Sequence, residues 1–181
     1  MLMDAKTHTD AFFKNSKYII DAIALQHEEL ARVYSILMDA WRKNTSVFII
    51  GNGGSAGTAT HFAADLTKTV VGHPGMRGLQ CYSLDNVPLM SALVNDWGWE
   101  LLFEAWLRNY WKPESVVIGI SVHGGTGADK AGAWSQNLVR AMQFAKDHNG
   151  KTIAFSGYDG GVMKKICDVS IVVPVPENIQ G

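Results

Sequence analysis

The chain holds 181 residues, 47% of them hydrophobic and 18% charged, a length suited to one domain of roughly 100–200 residues and a composition that excludes wholesale disorder. Sixteen Lys and Arg against seventeen Asp and Glu leave a formal net charge of -1. That balance argues against a broad electrostatic footprint for nucleic acid or an anionic membrane, while leaving room for a small local phosphate site.

No apolar run approaches the roughly 20 residues that a bilayer span needs. Met1 to Lys14 carries charges and His where a secretory leader is apolar, so a cytoplasmic protein is expected. From Asp10 to Lys43 the chain has neither proline nor glycine, and Ile19, Ile23, Leu30, Tyr34, Leu37 and Trp41 recur at helical spacings. Residues 1–45 therefore read as a helical arm of one helix, or of two with an unplaced break. Phe12, Phe13, Ile20, Val33 and Met38 widen its apolar stripe, which fits either a partner subunit or packing onto the chain's own core.

After Thr45 the pattern changes to short β-rich runs at Val47–Ile50, Leu79–Ser83, Ser115–Ser121, Thr152–Phe155 and Val169–Val173. Several are continuously apolar, as strands buried on both faces of a parallel sheet are. Between them His61–Thr69, Pro88–Val94, Glu100–Trp111, Ser135–His148 and Val162–Ile166 have helical composition. The expected architecture is a single α/β domain over residues 1–181: a three-layer, doubly wound sheet of about five parallel strands behind the arm. Ligands of such sheets bind beyond the carboxyl ends of the strands.

The first strand runs into Gly51-Asn52-Gly53-Gly54-Ser55-Ala56-Gly57. Glycines let the backbone approach a ligand closely, and free N–H groups at the following helix start favour an anion. A GxxxxGK[ST] phosphate loop is absent from the sequence. Gly51-x-Gly53-x-x-Ala56 matches the dinucleotide fingerprint only loosely, since Asp85 lies well beyond the expected spacing of about 20 residues. No nucleotide cofactor is expected. His61 and Asp65 are four apart and share a helix face, as a base or as two ligands of an open metal site would; a surface hydrogen bond is the plainer alternative.

The third strand ends in a second such loop, Ser121-Val122-His123-Gly124-Gly125-Thr126-Gly127. Ser135 is expected to cap the next helix. His123 could pair with phosphate or simply satisfy its own loop. Asn95 and Asp96 suit hydrogen bonding to sugar hydroxyls, whereas Ser156 to Gly161 reads as an ordinary turn without chemistry. Cys81 and Cys167 have neither CxxC spacing nor a partner cluster, and are expected as reduced packing thiols.

Gly51-Asn52-Gly53-Gly54-Ser55, His61-Phe62-Ala63-Ala64-Asp65-Leu66, Asn95-Asp96-Trp97-Gly98-Trp99, Gly119-Ile120-Ser121, Gly157-Tyr158-Asp159-Gly160-Gly161 and Ile179-Gln180 occur in this order over nearly the whole chain. Together they resemble the phosphoheptose isomerases of the sugar isomerase (SIS) domain family. The resemblance implies a flavodoxin-like sheet, a homotetramer built around the helical arms, and active sites where subunits meet. It implies conversion of sedoheptulose 7-phosphate, a phosphorylated seven-carbon sugar, to glycero-manno-heptose 7-phosphate through an enediol. Carried over, Asp65 is the catalytic carboxylate. Asn52, Gly53, Gly54, Ser55, Asn95, Asp96, Ser121, Val122, His123, Ser135 and Gln180 bind substrate, and His61, Asp65 and Gln180 fall at zinc-ligand positions of the members that bind zinc.

Three departures accompany it. Asp65 stands where the family usually has Glu, one methylene longer. The family's Ser/Thr-rich phosphate loop is here Ser121-Val122-His123 with a longer continuation, so that its final serine matches either Ser135, preferred for its capping position, or Thr126. The sequence ends at Gln180-Gly181, ahead of the helix that carries the family's catalytic histidine, and truncation is the expected explanation. The alternatives are a non-catalytic SIS sugar-phosphate sensor or tetrameric adaptor of the replication-initiation type, and an isomerase of another sugar phosphate.

Overall fold

The uninterrupted N-terminal stretch folds as two helices, α1 (Ala5–Ala24) and α2 (His27–Lys43). The computed structural model describes residues 4–68, 77–125 and 134–175. Asp4 starts α1 by accepting a hydrogen bond from the Thr7 N–H at 3.1 Å. Glu28 and Glu29 in the first turn of α2, with Arg42 and Lys43 in its last, complement the helix dipole. The break falls at Leu25-Gln26, where the Gln26 side chain turns to the sheet. Its Nε2 donates to the Val172 carbonyl at 2.7 Å and its Oε1 accepts from the Val172 N–H at 2.9 Å. One side-chain amide thereby occupies a donor and an acceptor on a sheet edge that would otherwise stay open to pairing.

The strands are β1 (Ser46–Gly51), β2 (Gln80–Ser83), β3 (Val116–Ser121), β4 (Lys151–Gly157) and β5 (Val169–Val173). They pair in the order β2-β1-β3-β4-β5, every pair parallel. Alternation along β1 and β3 divides the core. Val47, Ile49, Val116 and Ile118 face Val33 and Ala40 of α2 and Ala59 and Ala63 of α3 (Gly54–Lys68). Phe48, Ile50 and Val117 face the other layer, built from α4 (Val87–Trp97), α5 (Leu102–Tyr110), α6 (Gln136–Asp147) and α7 (Gly161–Ile166). The result is the expected three-layer α/β architecture, and each fully buried side chain such as Ile49 or Leu107 contributes roughly 1.5–3 kcal/mol.

Several boundaries differ from expectation. The helix expected from His61 begins at Gly54, so the glycine motif itself supplies its first turn. The helix expected over residues 100–111 is a 3-10 turn at Trp99–Leu101 followed by α5. β4 continues past Phe155 because its pairing with β5 runs on to Gly157 opposite Val173. The chain passes from β1 to β2 on one side and then returns across β1 to β3 on the other, and this reversal of strand order places a crevice beyond the carboxyl ends of β1 and β3.

Candidate functional site

At the end of β1 the backbone doubles back on itself. A Cβ on Gly51 would lie 2.5 Å from the Ser55 carbonyl oxygen, so only glycine fits this turn. The Ser55 N–H donates to the Asn52 carbonyl at 3.0 Å as the chain enters α3. The Asn52 side chain reaches across to α6 and forms a reciprocal amide pair with Asn137, at 3.0 Å in one direction and 2.9 Å in the other. Asn137 is fully buried, and its Oδ1 also accepts from the Leu138 N–H at 2.9 Å. The pair locks the turn between β1 and α3 to the first turn of α6. Sequence reasoning missed Asn137; the available signal was an amide beside Leu138, Ala141 and Met142 on the face of α6 that enters the core.

Ser121 closes β3 and is buried. Its Oγ accepts from the Gly124 N–H at 3.1 Å and lies 3.4 Å from the Ser135 Oγ. Ser135 does occupy the N-cap position of α6, but with φ 56° and without a side-chain capping bond. The expected capping role is therefore incorrect: the left-handed backbone turns the hydroxyl toward Ser121 instead of toward the helix N–H groups. Asn52, Ser55, Ser121, Val122, His123 and Ser135 line a hollow of about 130 Å³. The N-termini of α3 and α6 flank it, an arrangement of oriented N–H groups and hydroxyls suited to an oxyanion.

A more apolar hollow of about 240 Å³ shares Ser55, Ser121 and Val122 with it and extends to Phe155 and Val173.

His123 stands at the rim between two aromatic rings. It is stacked on Tyr158 at 4.8 Å between centroids and 6° between planes, and meets Trp134 edge-on at 4.7 Å. Residues 156–161, expected as an ordinary turn, do contain one, and it packs against the rim through Tyr158. The Gly157 N–H donates to the Val122 carbonyl at 3.0 Å, and the Met163 N–H to the Gly124 carbonyl at 2.9 Å. A Cβ on Gly124 would sit 2.0 Å from the Gly160 carbonyl oxygen, and one on Gly161 would sit 2.3 Å from that of His123. The loops after β3 and β4 are therefore braced backbone to backbone.

Other residues singled out in the sequence lie apart. His61 Nε2 and Asp65 Oδ2 are 3.5 Å apart on α3, with side chains 80% and 54% exposed. Asp65 is ten residues past Ser55, about 15 Å along the helix axis, and it does not line the hollow. The described residues contain no cluster of three His, Cys, Asp or Glu that could hold a metal. His61 and Asp65 alone fall short of the three protein ligands of an open zinc site. Asn95 and Asp96 are exposed at the end of α4, 2.8 Å from each other and away from the hollow. Glu100 just beyond them pairs with Arg140 of α6 at 3.2 Å. Thr126 and Gln180 lie outside the described residues. Cys81 and Cys167 are unpaired, and burial pushes each thiol up to about 12, as fits packing residues rather than nucleophiles. Among the described residues no helix is long and apolar enough to cross a membrane.

The SIS domain family model matches residues 11–157. A phosphoheptose isomerase of Aliarcobacter butzleri is 31% identical over 164 residues, covering 90% of this chain and 81% of its own. The lincomycin biosynthesis protein LmbN of Streptomyces lincolnensis is 37% identical over 141 residues, covering 77% of this chain; the chain spans about half the length of that protein, 50%. A solved phosphoheptose isomerase from Neisseria gonorrhoeae superposes with a TM-score of 0.82 at 25% identity, over 97% of this chain and 89% of that one.

Proposed function

Since this chain belongs to the SIS domain family, we propose that it is an aldose–ketose isomerase that converts sedoheptulose 7-phosphate to glycero-manno-heptose 7-phosphate. The observation that carries this reading is the hollow between the α3 and α6 N-termini, with Ser55, Ser121 and Ser135 converging on it. Phosphoheptose isomerases at 31% and 25% identity that cover most of this chain support the choice of substrate.

In this mechanism Ser55, Ser121 and Ser135, with the N–H groups of the two helix starts, hold the phosphate. Asn52, Gly53 and Gly54 shape its cradle, Val122 and His123 form its rim, and Asn95, Asp96 and Gln180 orient sugar hydroxyls. Asp65 is the base. It removes a proton from C1 of the ketose while the C2 carbonyl oxygen gains one, giving an enediol. Return of a proton to C2, with loss of the O1 proton, leaves the carbonyl at C1. A carboxylate that must reach carbon is governed first by distance and then by basicity, and Asp65 lies far along α3 from its own hollow. We therefore place the reacting site between protomers, where one chain's hollow meets the exposed His61–Asp65 face of another.

A homotetramer built around the arms accommodates this. Phe12, Phe13, Tyr18, Ile20 and Tyr34 are all exposed on α1 and α2, more apolar surface than a lone subunit ordinarily leaves on one element. Zinc is the one metal that the family resemblance brings forward. His61 and Asp65 would be its ligands with Gln180, and no step is drawn through it because the described residues supply only two of them. Cytoplasmic residence fits a phosphorylated substrate.

Incubation with sedoheptulose 7-phosphate in deuterated buffer, followed by NMR, tests the reading. Appearance of an aldoheptose phosphate with deuterium at C2 is the expected result. Wild-type turnover by Asp65→Asn would show the base to be misassigned. The exposed, short carboxylate also favours a second reading, a non-catalytic sugar-phosphate sensor, for which saturable binding without turnover is the signature.

A further inference from the structure

A phosphate dianion in the hollow between α3 and α6 would meet hydroxyls, amides and backbone N–H groups. Among the described residues that line this hollow there is no Lys or Arg, and His123 is the one that can carry positive charge.

The ring is held rather than loose. Tyr158 covers one face in a nearly coplanar stack and Trp134 abuts it edge-on. Tyr158 reaches that place with φ 52°, a left-handed backbone that is costly for an aromatic residue and persists only where surrounding contacts enforce it. The enforcing contacts are the backbone bonds Gly157 to Val122 and Met163 to Gly124, together with the close approach of Gly161 to the His123 carbonyl.

We propose that His123, clamped by Tyr158 and Trp134, is the charge-bearing contact for the substrate's phosphate and makes anion affinity at this site depend on pH. The proposal rests on the reading of this hollow as the phosphate site. Tyr158 is a positioning residue that acts through His123. Imidazole is the one side chain whose charge ordinarily changes between pH 5 and 8, and a neighbouring dianion favours its protonated form. Other ionisable groups on the elements packed around it are Tyr158 itself and Asp159 in the turn after β4, Lys164 and Lys165 on α7, and Arg140, Lys146 and Asp147 on α6. Asp159 accepts from the Gly161 N–H and Arg140 pairs with Glu100.

Inorganic sulfate is the suitable probe, since it remains a dianion throughout this range. The full chain, labelled at its six histidines, would be titrated from pH 5.5 to 9 by NMR with and without saturating sulfate. One imidazole resonance, absent from His123→Asn, is expected to move when sulfate binds. The sulfate dissociation constant should weaken about tenfold between the acid and alkaline limits, as loss of one charge-assisted contact would cause. In His123→Asn that dependence is expected to disappear, leaving the weak affinity at all pH. In His123→Lys the tight affinity should persist to pH 9, and Tyr158→Ala should shrink the shift without removing the resonance.

A His123 resonance indifferent to sulfate, or the same pH dependence in His123→Asn, overturns the proposal. Turnover of sedoheptulose 7-phosphate is measured separately. Sulfate coupling without isomerisation removes the isomerase reading and leaves the anion site standing; isomerisation without coupling does the reverse.

Discussion

Gly124→Ala should do more damage than any other single added methyl near the site. Gly124 has φ 60°, and its new Cβ would lie 2.0 Å from the Gly160 carbonyl oxygen and 2.5 Å from the carbonyl carbon. Both neighbours are backbone, so no side chain can swing aside. The left-handed conformation alone costs a non-glycine residue roughly 1–2 kcal/mol. Relief of the clash requires the two loops to part, which breaks the bonds from the Gly157 N–H to the Val122 carbonyl at 3.0 Å and from the Met163 N–H to the Gly124 carbonyl at 2.9 Å. Each is worth about 0.5–1.5 kcal/mol net, so the whole loss should be about 3–4 kcal/mol. Urea unfolding measures it, and for a domain of this size the melting temperature should fall by about 10 °C. Because the same shift displaces Val122 and His123 at the rim of the hollow, KM for the sugar phosphate should rise in whatever folded protein remains. Gly57→Ala is the control: it lies within α3 with nothing within 4 Å of the added Cβ, and should gain about 0.5 kcal/mol from helix propensity. A loss below 1 kcal/mol for Gly124→Ala with KM unchanged would refute the bracing of one loop by the other.

The Asn52–Asn137 pair should behave as one unit: in a double-mutant cycle with alanine, the coupling should be about 1–2 kcal/mol, since either single change strands a partner amide, and additive losses in denaturant titrations would mean the amides act separately. Cys81 and Cys167 give a pH signature, because burial holds their folded pKa at about 12 while an unfolded thiol ionises near 8.5. Above about pH 8.5 the unfolded chain sheds protons that the folded chain keeps, so stability falls as pH rises toward 12. For two half-buried thiols the penalty at pH 10 is about 1 kcal/mol each, and Cys81→Ala with Cys167→Ala should lose correspondingly less between pH 7.5 and 10; identical losses would show that the thiols contribute nothing. Phe13→Lys with Tyr34→Lys should lower the mass seen by sedimentation if the arms assemble the oligomer, leaving the secondary structure unchanged.

The layering of this protein is written locally. Val47 to Ile50 is apolar on both faces because β1 lies centrally in a parallel sheet, and the glycine run after it signals a close turn because no side chain fits beside the Ser55 carbonyl. Helical periodicity marked the arm and β-branched runs marked the strands, since both depend on which face of an element meets water, a property that each short window of sequence carries. Family motifs spread along the chain added the reaction class, and the SIS match over residues 11–157 agrees with them.

What the local pattern did not contain are the contacts made across the sheet. The break at Gln26 is set by Val172, 146 residues away. The partner of Asn52 is Asn137, 85 residues on. Ser135 looked like a helix cap from its neighbours, yet its hydroxyl faces Ser121 because the left-handed backbone at residue 135 points it there. His123 and Tyr158 stand 35 positions apart in the sequence, and two glycine contacts between their loops bring the rings face to face. The sequence alone carried the fold class and the residue types of the two glycine-rich loops, through periodicity and composition. Tertiary structure alone decided which polar groups share the hollow, because such pairings follow from the register and order of parallel strands, and these are fixed only when distant segments pack together.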